Sequence, residues 1–179
     1  MTNNFEVGKV LITQERLQER VSELGREISQ SFQGKDLAIV AILKGSFIFA
    51  ADLLKSVTIP CTIDFMSISS YANQPGSGVV RITKDLEESI TSRNVLLVED
   101  IIDTGLTANY LVRVLRERKP ASLDLCALLD KSARRIIDLP IAYSGFDIPD
   151  VFVVGYGMDY QQKYRNLPYI AVLKQRSIG

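Results

Sequence analysis

Seven consecutive apolar residues, Leu37-Ala38-Ile39-Val40-Ala41-Ile42-Leu43, run between Asp36 and Lys44. The run is too short for an ordinary helix and shows no polar alternation, so it reads as a strand buried on both faces. Strands of that kind belong to parallel sheets covered by helices on either side. Cys61 to Ile68, Asn94 to Val98 and Ser122 to Leu129 read as further strands, and Val151 to Val154 and Tyr169 to Leu173 as two late ones. Val79 to Ile82 fits a short exposed strand. Helical patterns alternate with these strands. Thr13 can cap a helix whose residues Leu17, Val21, Leu24, Ile28 and Phe32 fall on one face, with Gly34 as its stop. Phe47 to Leu54 is a second helix. Ala108, Leu111, Val112 and Leu115 mark a third that ends before Pro120.

This alternation predicts an α/β fold: a doubly wound, mostly parallel central sheet with helices on both faces and right-handed crossovers. The late strands lack long helices between them, which suggests a small hood formed by the chain ends. The expected organisation is one domain over 1–179, with a core at about 36–150, a hood from about 1–12 and 151–179, and a lid at about 69–83. Ser69 to Gly78 is rich in Ser, Asn, Gln, Pro and Gly and has few apolar anchors, so the reading there is a flexible loop.

Composition removes several chemistries. The chain contains no His, which excludes Ser-His-Asp and Cys-His hydrolases and His-ligated zinc. Cys61 and Cys126 are far apart and read as small buried hydrophobes in a reducing compartment. Lys plus Arg and Asp plus Glu are 21 each, so a globally basic field for nucleic acid is absent. No apolar run approaches the ~18 residues that span a bilayer. Residues 1–9 lack the pattern of a secretion signal. The expectation is a cytoplasmic protein with no membrane or nucleic-acid partner.

In open parallel sheets, ligands bind beyond the carboxyl ends of the strands. Three such exits are chemically loaded: Lys44-Gly45-Ser46, Glu99 to Thr107, and Asp130-Lys131. In the second, Thr104, Gly105 and Thr107 lie between a strand and a helix. Glycine permits close approach, the hydroxyls donate, and the helix start offers free amides, which together make a phosphate cradle. It is not a Walker loop, because GxxxxGK[ST] is absent. Glu99, Asp100 and Asp103 stand just before it. Acids beside a phosphate site either cap the helix or hold a cation such as Mg²⁺ through water and ligand oxygens.

Val98-Glu99-Asp100-Ile101-Ile102-Asp103-Thr104-Gly105-Leu106-Thr107 resembles the phosphoribosyl pyrophosphate motif of the type I phosphoribosyltransferases. The acid pattern is similar to that of their hypoxanthine-guanine branch, in its bacterial form. Leu43-Lys44-Gly45, Ser70-Tyr71, Lys131, and Phe152-Val153-Val154-Gly155-Tyr156 through Asp159-Tyr160 to Arg165 follow in the family's order, so the resemblance covers nearly the whole chain.

The resemblance implies purine salvage: transfer of a phosphoribosyl group from phosphoribosyl pyrophosphate to hypoxanthine or guanine, with Mg²⁺, giving IMP or GMP and pyrophosphate. It implies that Glu99, Asp100 and Asp159 serve metal and ribose, and that Asp103 is the catalytic proton acceptor at purine N7. Asp103, Thr104, Gly105, Leu106 and Thr107 would bind the 5′-phosphate. Lys44, Gly45 and Arg165 would bind pyrophosphate, and members often carry a cis peptide at the position matching Leu43–Lys44. Lys131, Phe152, Val153 and Asp159 would bind the base, Lys131 by donating to a 6-oxo group. Ser70 and Tyr71 match lid residues. Partners would be these small molecules and further copies of the chain, as a dimer or tetramer. The rival readings are a transferase for xanthine or another base, a nucleotide-binding regulator on the same fold, and a receiver-like phospho-acceptor domain. The last leaves the Thr-Gly-x-Thr cradle unexplained.

Overall fold

A computed structural model describes residues 5–70 and 80–175. In chain order the elements are β1 (Phe5–Ile12), α1 (Gln14–Ser31), β2 (Leu37–Leu43), α2 (Phe47–Ser56), β3 (Cys61–Ser70), β4 (Val80–Lys84) and β5 (Asn94–Ile102). Then come α3 (Leu106–Glu117), β6 (Ser122–Asp130), a 3₁₀ turn (Ser132–Arg134), β7 (Tyr143–Asp147), β8 (Val153–Val154) and β9 (Ile170–Gln175).

The main sheet has the order β4-β3-β2-β5-β6-β7. All neighbours are parallel except β3 and β4. The unbroken apolar run of β2 follows from its central place. Leu37, Ile39 and Ala41 point into one core, and Ala38, Val40 and Ile42 into the other. β5 divides likewise, with Leu96 and Val98 on the first side and Val95 and Leu97 on the second. The first core is roofed by α1 and α2, the second by α3.

α1 begins where Thr13 Oγ1 accepts from the Arg16 amide at 3.4 Å, and its buried stripe is Leu17, Val21, Leu24 and Ile28. Ser29, buried on that helix, donates to the Gly25 carbonyl at 2.6 Å and accepts from the Thr58 amide at 3.0 Å, which ties α1 to the segment after α2. α3 presents Ala108, Leu111, Val112 and Leu115 to its core.

A second, antiparallel sheet of order β1-β9-β8 gathers both ends of the described chain. Tyr156, just after β8, donates from its hydroxyl to Asp52 Oδ2 on α2 at 2.7 Å, linking this sheet's neighbourhood to the main body.

Several boundaries differ from the sequence reading. β5 runs on to Ile102, so Glu99 and Asp100 are strand residues rather than the start of a loop; Glu99 and Ile101 keep pairing with Ala127 and Leu129 of β6. The Val151–Val154 strand shrinks to Val153–Val154. β1 and β7 were not marked by any apolar run. Phe5–Ile12 alternates with Glu, Gly and Lys, and Tyr143–Asp147 is an edge strand of only five residues.

Candidate active site

Because β2 lies between β3 and β5, the direction of winding reverses at the β2–β5 pair, and a cleft opens beyond their carboxyl ends. The exits of β2 and β5 supply the two walls of that cleft. The Leu43–Lys44 peptide is cis. Gly45 packs so closely on Asp100 that a methyl group there would overlap Asp100 Oδ2.

After β5, Asp103-Thr104-Gly105 bends the chain into α3. Gly105 sits at φ +83°, a left-handed conformation that costs other residues energy, and as the N-cap it offers no side chain to the helix. The Leu106 amide donates to Thr104 Oγ1 at 3.4 Å and the Asn109 amide to the Gly105 carbonyl at 2.9 Å. Among the described residues the first-turn amides of Thr107 and Ala108 have no such partner, and they carry the positive end of the helix dipole. The chain after β6 braces this bend: the Ile136 amide donates to the Thr104 carbonyl at 3.0 Å.

Two hollows open here. One, of about 250 Å³, is lined by Gly45, Glu99, Asp100, Asp103, Thr104, Gly105 and Thr107 among others. The second, of about 310 Å³, is lined by Lys44, Gly45, Asp100, Asp103, Lys131, Phe152, Val153, Met158, Asp159 and Arg165. Gly45, Asp100, Ile101 and Asp103 line both, so the hollows meet at these residues.

The acids differ in setting. Glu99 is buried and forms no ion pair among the described residues; burial, and then the charge of Asp100, push its carboxyl well above the usual range. Burial pushes Asp100 up to about 6; backbone amides and the Arg165 charge pull it down, and the Asp159 charge adds to the rise. Asp159 itself pairs with Arg165 Nη2 at 2.7 Å and accepts from the Gln162 amide at 2.7 Å. Arg165 Nη1 donates to the Gly157 carbonyl at 2.7 Å.

Among the described residues no three His, Cys, Asp or Glu side chains converge as a metal cage. The adjacent carboxylates Glu99 and Asp100 line the cleft and could hold Mg²⁺, which keeps most of its water and takes one or two carboxylates plus ligand phosphate oxygens. The uncompensated burial of Glu99 beside Asp100 is where a cation would relieve most electrostatic cost.

On the base side, Lys131 lies at the exit of β6, nearly buried. Phe152 is 54% exposed, its ring edge-on to Tyr160 with centroids 5.8 Å apart. Exposure of so large an apolar ring at a cleft mouth leaves a face for a flat partner.

Most residues singled out from the sequence thus line one of the two hollows. Leu106 does not: it is 49% exposed, and only its backbone belongs to the bend. Ser70 is the last residue of β3, and Tyr71 lies outside the described residues, as do 71–79 of the expected lid. The sequence reading missed Arg134 and Asp150. Arg134 Nε is 3.1 Å from Asp103 Oδ1, outside hydrogen-bond alignment, so that buried oxygen has a charge beside it but no hydrogen bond. Their signal was available in the charged run Asp130-Lys131-Ser132-Ala133-Arg134-Arg135 and in Asp150 just ahead of Phe152.

The chain is similar to known proteins along most of its length. The phosphoribosyl transferase domain model matches residues 11–161. Over 170 residues the chain is 47% identical to the hypoxanthine-guanine phosphoribosyltransferase of Bacillus subtilis, covering 94% of each. A bifunctional TilS/HprT protein of Listeria monocytogenes is 48% identical, but the chain spans only 26% of its length. A crystal structure of a Bacillus anthracis hypoxanthine-guanine phosphoribosyltransferase, with a HEPES molecule in its active site, superposes with a TM-score of 0.90 at 48% identity, covering 96% of this chain and 99% of that one. With the doubly wound sheet, the uncapped Thr-Gly-x-Thr bend and the adjoining acids in place, these matches mean that the chain belongs to the phosphoribosyl transferase domain family.

Proposed function

We propose that this chain transfers the phosphoribosyl group of phosphoribosyl pyrophosphate to N9 of hypoxanthine or guanine, releasing pyrophosphate and giving IMP or GMP. One observation carries the reading: two hollows, one with a helix N-terminus and one with an exposed aromatic ring and a nearly buried ammonium, meet at Asp100 and Asp103. A nucleoside monophosphate is a phosphate, a ribose and a base in that order, and it fits a cradle, an acid pair and a base hollow in that order.

The amides and hydroxyls from Thr104 to Thr107 bind the 5′-phosphate. Glu99 and Asp100 lie under the ribose, where their charge favours the oxocarbenium character that develops as the anomeric C1–O bond to pyrophosphate breaks. Asp103 accepts the N7 proton while N9 attacks. Lys131 donates to the 6-oxo group, and an adenine amino group there would set donor against donor. Phe152 stacks on the ring, and the backbone of Val153 reads its edge. Lys44, Gly45 and Arg165 hold the leaving pyrophosphate, Arg165 through its planar fork of donors. Glu99 and Asp100, with Asp159 near them, would hold Mg²⁺, whose charge offsets that of pyrophosphate. The exposed setting of the cleft at Phe152 accords with a small, exchangeable base.

No helix among the described residues is long and apolar enough to cross a membrane. We assign the protein to the cytoplasm and to a homodimer or homotetramer, a state that light scattering reads directly. Initial rates with hypoxanthine, guanine, xanthine and adenine, with and without Mg²⁺, test the function. Turnover of the first two only, abolished by chelator, is the expected result. Preference for adenine, or binding of nucleotide without turnover of any base, would overturn it.

A further inference from the structure

Four charged side chains form a ring at the base side of the cleft. Asp103 Oδ1 is 3.1 Å from Arg134 Nε, and Arg134 Nη1 donates to Asp150 Oδ1 at 3.2 Å. The same Asp150 oxygen is 3.5 Å from Lys131 Nζ, and Lys131 Nζ is 3.9 Å from Asp103 Oδ2. Signs alternate around the ring, and its formal charge is zero. The 3₁₀ turn makes this possible: the Arg134 amide donates to the Lys131 carbonyl at 2.8 Å, which sets the two cations one turn apart.

We propose that Arg134 and Asp150 are positioning residues that keep Asp103 and Lys131 from neutralising each other. The proposal rests on the 6-oxopurine reading above. The Lys131 side chain is only 8% exposed, and its ammonium makes no hydrogen bond with the described residues. It stands in the field of two carboxylates and is bonded to neither, so its donors remain for a ligand acceptor. From the other side Arg134 donates a hydrogen bond to Asp150 and stands at ion-pair distance from Asp103. Without Arg134, two carboxylates face one nearly buried ammonium, which moves onto one of them and is lost to the base. Without the Asp150 charge, two cations face Asp103 alone, and a carboxylate so held is a poorer proton acceptor. With both gone, Asp103 and Lys131 face only each other, and nothing in the ring holds them apart. Arg134 and Asp150 are about half exposed, so solvent limits each effect to several-fold.

The test is a double-mutant cycle on the full chain with hypoxanthine and saturating phosphoribosyl pyrophosphate. Arg134→Met should raise the KM for hypoxanthine about 5-fold, and Arg134→Lys should recover most of that loss. Asp150→Asn should lower kcat about 5-fold in a chemistry-limited assay, with KM changed less. The double variant should be at least as impaired in kcat/KM as the worse single variant. The KM for phosphoribosyl pyrophosphate should stay constant throughout. A double variant restored to near the wild-type rate, unchanged single variants, or a parallel rise in that second KM would overturn the proposal. No turnover of hypoxanthine by the wild type would instead sink the 6-oxopurine reading, and this inference with it.

Discussion

At the scale of single residues, base choice and proton transfer separate. Lys131 follows β6 and Asp103 follows β5, and the proposed phosphate cradle, Thr104 to Thr107, lies at the second of these exits. Lys131→Ala should therefore lower kcat/KM for hypoxanthine and guanine by about one to two orders of magnitude, the worth of a charge-assisted hydrogen bond. Titration of phosphoribosyl pyrophosphate against the variant should give nearly the wild-type affinity; a collapse there would move Lys131 out of the base hollow. Asp103→Asn keeps the shape of the side chain and removes its basicity, so kcat should fall ~10²–10⁴-fold with the thermal midpoint little changed. A loss confined to KM would instead make Asp103 a binding group. Most lining residues were legible in sequence because chemistry-bearing side chains crowd the strand exits. Arg134 and Asp150 were not, since a charged surface run usually means only solubility, and 16 positions separate the two partners.

Elements follow their sequence signals unevenly, and the cause is burial. Strands covered on both faces need apolar residues at every position, so β2 and β6 stand out in the chain. β1 and β7 lie at sheet edges, where one face or one side meets solvent, and their residues are mixed. The β5–α3 junction concentrates function because one strand, one bend and one uncapped helix start meet there. Two glycines on facing walls serve it for different reasons, and alanine separates them. At Gly105 a methyl group meets nothing closer than 3.5 Å, so the penalty is the left-handed backbone alone, ~1–2 kcal/mol. Gly105→Ala should fold, lose about that much stability, and raise the KM for phosphoribosyl pyrophosphate. At Gly45 the methyl overlaps the Asp100 carboxylate itself. Gly45→Ala should displace that acid and abolish turnover while leaving the two cores intact. Urea denaturation and kinetics on both variants decide the matter; equal effects would mean that the two walls are not distinct.

For the whole molecule, a cleft placed between two cores has an electrostatic cost that pH reveals. Burial raises Glu99 well above its ordinary range and Asp100 to about 6, whereas both titrate near ~4 in the unfolded chain. Between pH ~7 and ~4 the folded, metal-free protein therefore binds more protons than the unfolded one. Stability must then rise as pH falls through that window, the reverse of ordinary acid destabilisation. Each pH unit between the two titrations is worth about 1.4 kcal/mol, and contact of Asp100 with solvent in the cleft leaves a gain of about 1–2 kcal/mol. Other acids set the lower limit. Arg93 holds Asp36 low by hydrogen bonding. At Asp64 burial is outweighed by the amides of Phe65, Glu87 and Glu88 and by Lys84. These groups lose their stabilisation as pH falls toward and below ~4, so the metal-free optimum lies on the acid side of neutrality. Under the proposed function Mg²⁺ with phosphoribosyl pyrophosphate would bind the ionised pair, so its stabilising effect should be larger at pH 7.5 than at pH 5.5. Denaturation midpoints at pH 7.5, 6.5, 5.5 and 5.0, each with chelator and with both ligands, measure the two slopes. Metal-free stability that is flat or falls over this range would show that Glu99 and Asp100 are not strained by burial, and would remove the electrostatic reason for placing a cation beside them.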